Sequence, residues 1–315
     1  MRIIRSTATT DPAERGASVA MGNFDGVHLG HQAVIGLALR EARASSAPAG
    51  VITFEPHPRS FFAPDAPPFR LMNPASRAHR LAKLGVELLY ELPFGADLAR
   101  LTAEDYARDI LVRGLGVSHV VVGQDFRFGR GRAGDVDTLA RLGAELGFRV
   151  TAAPIVSDGE TDYSSTAIRR ALAEGRPGDA RRMLGHWHRI EARVEHGDAR
   201  GRELGFPTAN MPLDGLHLPA FGVYAVTVDV LEGPHAGTYH GAASLGVRPM
   251  FGENRPNLEV FLFDFSGDLY GAELSVGLVD FQRPELRFDG LPALIEQMNR
   301  DCETARATLK AAAPL

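Results

Sequence analysis

Two histidines three residues apart, His28 and His31, carry the strongest chemical signal in the chain. They stand in residues 21–32, MGNFDGVHLGHQ. The short apolar run 18–21 leads in, and Val34, Leu37 and Ala38 follow at helical spacing, so the segment reads as strand, glycine turn, helix. Gly22, Gly26 and Gly30 let the backbone turn tightly and approach a ligand. The start of a helix presents unpaired N–H groups and a positive dipole end, a seat for phosphate. Imidazoles beside that seat can hold the charge that builds during nucleotidyl transfer. Two plainer readings stand beside this one: a glycine turn with surface histidines, and half of a metal site. The coincidence of turn, helix start and histidine pair favours phosphate.

A second helix start has the same character. Residues 163–169, YSSTAIR, put the hydroxyls of Ser164, Ser165 and Thr166 at a helix N-terminus, with Arg169 one turn further in. Capping alone needs one hydroxyl. Further on, residues 201–210 read GRELGFPTAN. Gly201 and Gly205 suit a loop that covers phosphates, and Pro207 favours an extended residue before it. In an extended chain Thr208 and Asn210 share a face, and both offer hard oxygens of the kind Mg²⁺ takes when shared with substrate phosphates. A hairpin loop with two polar residues is the alternative. Glu259 lies inside the strand-like run 258–263, on the face of Phe261 and Phe263. A carboxylate between apolar rings is costly without a task or a partner. Desolvation would raise its pKa toward that of a useful base; an ion pair with Arg248 or Arg255 would make it structural instead.

These residues need elements to hold them. Strand-like stretches at 18–21, 50–54, 86–92, 119–122 and 148–153 alternate with helical patterns, one opening at a capping box on Thr102 and one over Val136, Leu139, Ala140 and Gly143. Such alternation argues a parallel sheet covered on both faces, with ligands at the carboxyl ends of its strands. The loop 55–59, EPHPR, is stiffened by two prolines and should be a defined turn, with His57 and Arg59 exposed in the plainer reading. In the loop 123–129, GQDFRFG, Phe126 and Phe128 could stack a flat ring, or one of them could plug the core. Arg127 could meet phosphate, whereas Arg130 and Arg132 read as solvated. Phe61, Phe62 and Phe69 stay open between core and apolar flap. Beyond Leu184, short alternating runs at 224–230, 238–245, 258–265 and 273–281 argue an antiparallel sheet or small barrel. A final helix places Leu291, Leu294, Ile295, Met298, Cys302, Ala305 and Leu309 on one stripe, with Cys302 a buried small residue. The change of texture near Gly185 divides the chain into domains 1–185 and 186–315.

At 315 residues, two domains are expected, and 44% apolar with 23% charged residues is ordinary for a soluble globular protein. A net charge of −5 and a pI near 6.1 argue against a nucleic-acid binder. Cys302 is the single cysteine, so no intrachain disulfide forms, which fits a cytoplasmic protein. No signal-peptide core and no apolar run of membrane-spanning length is present, so no membrane partner is expected. A homo-oligomer is compatible with the sequence.

Taken in order, these motifs resemble one family. HLGH at 28–31 resembles the H-x-G-H signature of the nucleotidyltransferase superfamily, and GNFDGVH at 22–28 is similar to the bacterial bifunctional riboflavin kinase/FAD synthetase family. PHPR at 56–59, GQDFRFG at 123–129 and the superfamily's second signature at 163–169, with Tyr163 in place of Ile, follow. GRELGFPTAN at 201–210, LEVF at 258–261 and DLYG at 268–271 complete a likeness that covers nearly the whole chain. The resemblance implies an α/β fold class: an N-terminal Rossmann-like nucleotidyltransferase domain with a parallel sheet, then a small antiparallel β-barrel domain with a C-terminal helix. It implies ATP-dependent phosphorylation of riboflavin to FMN in the second domain and adenylylation of FMN to FAD, with release of pyrophosphate, in the first. Glu259 would be the kinase base, with Thr208 and Asn210 on Mg²⁺-ATP and Gly201, Gly205 and Pro207 around the nucleotide. His28 and His31 would stabilise the adenylyl-transfer transition state, with Ser164, Ser165, Thr166 and Arg169 on the departing phosphates. Gly22, Phe24, Asp25, Gly26, His57, Asp125, Phe126 and Phe128 would complete that binding site. Phe261 stands where the family often has His, and Met250 where it often has Thr; both departures concern the flavin pocket. A nucleotidyltransferase for another acceptor and a non-catalytic flavin-binding regulator are the rival readings.

Overall fold

The computed structural model describes residues 1–7, 11–157, 159, 162–196, 205–250 and 253–312. Gly201 lies outside the described residues, as do the side chains of Arg248 and Met250. The chain divides into two compact units, 1–67 with 77–163 and 68–76 with 164–315.

The first unit is built on six strands, β1 (Arg2–Ile4), β2 (Ser18–Met21), β3 (Ala49–Glu55), β4 (Leu88–Pro93), β5 (His119–Gly123) and β6 (Arg149–Ala153). They lie in the order β1-β4-β3-β2-β5-β6, and every neighbouring pair is parallel. The sequence marks five of these strands. β1 is three residues long between arginines and has no pattern of its own; its place comes from pairing with β4. Parallel strands need crossovers, supplied by α1 (Leu29–Ser45), α2 (Pro58–Phe62), α3 (Pro74–Lys83), α4 (Ala96–Ala99), α5 (Ala103–Asp105) and α6 (Val136–Leu146). One face of the sheet, through Val19, Met21, Ile52, Val120 and Val122, shares a core with Tyr106, Leu111, Leu139 and Leu142. α1 packs along β2, β3 and β5 and buries Ile35, Ala38 and Ala42.

The helix at Thr102 differs from its expected form. The Thr102 hydroxyl accepts from the Asp105 N–H at 3.1 Å and donates to the Asp105 carboxylate at 2.9 Å. Asp is one methylene shorter than the Glu or Gln of a capping box, and its carboxylate stops at the hydroxyl. α5 then continues as a π-helix over Tyr106–Leu115, a wider winding that apolar spacing does not distinguish from an α-helix.

β2 lies between β3 and β5. The chain therefore leaves β2 toward one side of the sheet and later returns on the other. This is a topological switch point, and the loops after β2 and β5 border its crevice.

The second unit holds α7 (Ser165–Ala173), α8 (Pro177–Leu184) and the strands β7 (His188–Arg193), β8 (Ala209–Pro212), β9 (Gly222–Val230), β10 (Gly237–Met250), β11 (Glu253–Leu262) and β12 (Glu273–Pro284). Their order is β7-β12-β9-β10-β11-β8, antiparallel throughout. A bridge from the Glu195 N–H to the Asn210 carbonyl, 2.9 Å, joins the two ends into a nearly closed barrel. Met211, Val226, Val228, Leu245, Leu258, Val260, Leu274 and Val276 fill its interior. β7 and β8 are short and polar on one face, and the sequence pattern does not mark them.

α9 (Leu291–Ala311) covers β9, β10 and β12. Its Cys302, Ala305 and Leu309 pack with Trp187, Ala225, Ala242 and Phe263, and burial pushes the Cys302 thiol up to about 11. The expected stripe holds only in part: Leu291 is 59% exposed, because burial along α9 deepens toward Asp301, Ala305 and Leu309.

His188 on β7 is buried, and burial, then the neighbouring His186 and His217, bring its pKa from 6.5 to about 3. The unfolded chain therefore binds a proton that the folded barrel refuses, and stability falls as pH drops below 6.5. At pH 5 the loss from this residue should be about 2 kcal/mol. Melting curves at pH 7.5 and 5 should show a smaller drop for His188→Leu than for the unaltered protein. Equal drops would contradict this account of His188.

Candidate functional site

β2 ends where the Gly22 N–H donates to the Ile52 carbonyl of β3 at 3.1 Å. The following loop passes three times through the left-handed region, at Phe24 (φ 51°), Gly26 (86°) and Val27 (44°). Gly26 takes that conformation freely; Phe24 and the β-branched Val27 do not. Surrounding bonds hold them there. The Asn23 carbonyl accepts from Thr53 Oγ1 at 3.2 Å and Arg77 Nη1 at 3.4 Å, and the Val27 carbonyl accepts from Gln32 Nε2 at 2.9 Å. Phe24, Asp25 and Val27 are buried beneath the loop.

The loop delivers His28 to the N-cap of α1, where its Nδ1 accepts the His31 N–H at 3.4 Å. Ser, Thr, Asp or Asn would be the ordinary cap. An accepting Nδ1 places the proton of the neutral ring on Nε2. The rings of His28 and His31 stack with centroids 3.6 Å apart, and His31 meets the Phe24 ring edge-on at 5.2 Å. A Cβ on Gly30 would come within 3.1 Å of the His28 ring and 3.5 Å of the Tyr163 carbonyl. The missing side chain is what allows the His28 ring to fold back over the first turn. Burial, and then His28 beside it, hold the His31 pKa well below the ordinary imidazole value. His31 Nδ1 is buried without a hydrogen-bond partner among the described residues. His28 is buried and His31 half-buried, and among the described residues no group of metal-ligating side chains includes them.

Across the switch point, Phe128 is a core residue against Tyr106, with centroids 5.9 Å apart. Phe126 is half-buried and stacks on Phe128 at 5.8 Å, so one ring plugs the core and the other lies over it. Asp125 is exposed, and Arg127 is spent on an ion pair with Asp135 at 3.1 Å. His57 is a correction to the exposed-loop reading. It is buried and caps α2, its Nδ1 accepting the Arg59 N–H at 3.1 Å, so the proline-rich segment is a helix start. Phe61 and Phe62 meet Phe94 in an aromatic cluster, with Phe62 67% exposed.

In the second unit Ser164 caps α7, its hydroxyl accepting the Ala167 N–H at 3.2 Å. Ser165 and Thr166 follow in the first turn. Arg169 Nε donates to the carbonyl of the buried Phe69 at 2.6 Å, and its guanidinium lies 5.4 Å from that ring's centre.

On the barrel, Asn210 of β8 stands directly opposite Glu259 of β11. Their sequence neighbours Ala209, Met211, Leu258 and Val260 belong to the interior, so Asn210 and Glu259 share the outer face. Asn257 Nδ2 donates to Asn210 Oδ1 at 3.1 Å, and Asn210 Nδ2 to the Thr208 carbonyl at 3.4 Å. Glu259 is half-buried, followed on its face by Phe261 and Phe263, whose centroids are 5.9 Å apart; Phe206 meets Phe261 at 5.4 Å. The Glu259 carboxylate has no hydrogen-bond or ion-pair partner among the described residues, so the ion pair with Arg255 is not formed. Gly205 and Pro207 are exposed and Thr208 is half-buried. Sequence reasoning passed over Asn257, although it lies two residues before Glu259 and so on its face. It also passed over Arg77, one cation among several in a charged helix.

A parallel α/β unit with a histidine-capped helix at its switch point, and a barrel presenting a carboxylate opposite an amide, are the two parts of an enzyme built for phosphate chemistry. The FAD synthetase family model matches residues 10–167 and the riboflavin kinase model residues 184–309. The chain is 42% identical to the bifunctional riboflavin kinase/FMN adenylyltransferase of Pseudomonas fluorescens, over 98% of this chain and 97% of the relative. It is equally 42% identical to that of Escherichia coli strain K12, over 97% of each. A crystal structure described as a macrolide-efflux protein from Streptococcus pneumoniae matches with a TM-score of 0.83 at 33% identity, covering 97% of this chain and 98% of that one. Among the described residues no helix is long and apolar enough to cross a membrane. The chain belongs to the bifunctional riboflavin kinase/FMN adenylyltransferase family.

The order of causes at His31 has a measurable consequence. In an NMR titration its ring should stay neutral well below the pH at which an exposed histidine protonates. In His28→Asn its pKa should rise only partway toward normal, because burial is the larger cause. A return to the ordinary value would make the neighbouring ring the dominant cause and contradict this ranking.

Proposed function

We propose that this chain converts riboflavin to FMN and FMN to FAD, each step using ATP, with the kinase in residues 186–315 and the adenylyltransferase in residues 1–185. The observation that carries the kinase assignment is the Asn210–Glu259 pair: a carboxylate without a protein partner among the described residues, directly opposite an amide oxygen. Glu259 accepts the proton of the ribityl 5′-hydroxyl as its oxygen attacks the γ-phosphorus of ATP, and ADP leaves. Phe261 and Phe263 shield the base from water on one side.

Thr208 and Asn210 fit a hard cation. The bond from Asn257 to Asn210 Oδ1 orients that amide. Neutral oxygens suit Mg²⁺ shared with a polyphosphate, which supplies the negative charge. Bound there, Mg²⁺ would neutralise phosphate charge. Gly201, Gly205 and Pro207 would form the loop over the nucleotide.

In the first domain the FMN phosphate attacks the α-phosphorus of a second ATP and pyrophosphate leaves. His28 Nε2–H donates to the charge that develops there, with His31 stacked behind it as a neutral ring. Gly22 and Gly26 let the loop approach the phosphates, and Phe24 and Asp25 anchor it. His57, Asp125 and Phe126 line the nucleotide and flavin binding region, with Phe128 stacked against Phe126 from the core side. Ser164, Ser165, Thr166 and Arg169 receive the departing phosphates. Riboflavin, FMN and ATP are then the partners, in the cytoplasm, and a homo-oligomer is compatible with this assignment.

Paired variants test the assignment. Glu259→Gln keeps size and hydrogen bonding but cannot take a proton, so FMN formation should fall roughly a hundred- to ten-thousandfold. Riboflavin affinity and melting temperature should stay near normal, and FAD formation from added FMN should continue. His28→Ala should do the reverse, cutting FAD formation by about a hundredfold or more while sparing FMN formation. Near-normal FMN turnover in stably folded Glu259→Gln would remove that residue from the mechanism; equal loss of both activities in either variant would contradict two separate sites.

A further inference from the structure

The loop that presents His28 rests on a buried ion cluster. Arg77 is fully buried, yet carries a full charge in the interior of the first unit. Its Nη2 donates to Glu55 Oε2 at 3.1 Å and to Glu91 Oε2 at 3.0 Å, and Glu91 Oε1 in turn accepts from Arg5 Nε at 3.0 Å. Burying such a group is expensive, and replacing ion pairs of this kind by apolar residues is often neutral or stabilising. Stability alone is therefore a weak reason for it. Another contact is more telling: Arg77 Nη1 donates to the Asn23 carbonyl at 3.4 Å.

That carbonyl also accepts from Thr53 Oγ1, and the next residue is Phe24, the first of the two non-glycine residues held at positive φ. A backbone in such a conformation persists only when its surroundings over-determine it. Thr53 and Arg77 clamp the entry to the loop, and Gln32 clamps its exit at Val27. His28 follows immediately, so its ring can turn over α1 only while the loop keeps this shape. Glu55 and Glu91 hold the guanidinium fork in the one orientation that leaves a donor aimed at Asn23.

We propose that Arg77 is a positioning residue for adenylyl transfer, acting through the Asn23 carbonyl on the placement of His28. This rests on the assignment of His28 to that reaction. A lysine would keep the charge for Glu55 and Glu91 but lacks the fork that reaches a third acceptor. Thr53→Val removes the other donor to Asn23 and leaves the ion cluster intact.

The test uses the full chain and measures kcat and KM for FAD formation from FMN, FMN formation as an internal control, and melting temperature. Arg77→Lys and Thr53→Val should each lower the kcat of FAD formation by about ten- to a hundredfold, the cost of misplacing a reacting group. KM for FMN and ATP and the rate of FMN formation should stay within about twofold, since the clamp acts on His28 rather than on binding. A purely structural role would instead lower the melting temperature and leave kcat per folded molecule unchanged. That result in Thr53→Val, whose ion cluster is whole, would overturn the inference. His28→Ala, run alongside, separates the two levels: if it leaves FAD formation intact, the assignment of His28 fails. If it abolishes the step while both clamp variants keep their kcat, only the role of Arg77 fails.

Discussion

One hydrogen bond organises the first unit: the helix that leaves the central strand is capped by an imidazole. A serine or aspartate would satisfy the same N–H group. Using His28 ties the start of α1 to an imidazole ring at the carboxyl end of the sheet, where its strand order reverses. Several otherwise separate features follow from that constraint. Gly30 must lack a side chain because the ring lies over it. Phe24 and Val27 must tolerate positive φ because the loop reaches the cap in few residues. A buried arginine and a buried threonine meet one carbonyl at the entry to that loop.

The second unit solves its problem with alternation. Along β8 and β11 the residues that fill the barrel, Ala209, Met211, Leu258 and Val260, alternate with those that face outward, Asn210 and Glu259. A shift of one residue between these strands would separate the amide from the carboxylate and turn one of them into the core. The barrel interior thus fixes the register of the Asn210 and Glu259 pair on its outer face. The bridge between Glu195 and Asn210 places the same asparagine at the closure of the barrel, where two ends of the sheet brace its backbone.

The parts legible in the sequence are those with a strong local cause. The alternation of strands and helices, the glycine turn into α1, the cap at Ser164 and the face shared by Glu259, Phe261 and Phe263 all follow from spacing within a few residues. What escaped depends on partners distant in the chain. β1 is a strand because β4 offers it an edge. His57 looks like an exposed loop residue until the helix it caps is seen. Arg77 sits in a helix with other cations, and nothing local marks it as the one turned inward onto Glu55 and Glu91. The C-terminal stripe was legible as a pattern, but the pattern does not tell where the barrel surface ends, and Leu291 lies outside it.

The central claim is that one chain carries two successive phosphate transfers with different leaving groups. A time course with riboflavin, ATP and Mg²⁺, following flavins, ADP and pyrophosphate together, tests it most directly. FMN should rise first and FAD after it, with one ADP and one pyrophosphate released for each FAD formed. FAD formation without prior FMN, or FMN accumulating with no pyrophosphate at any time, would contradict the account.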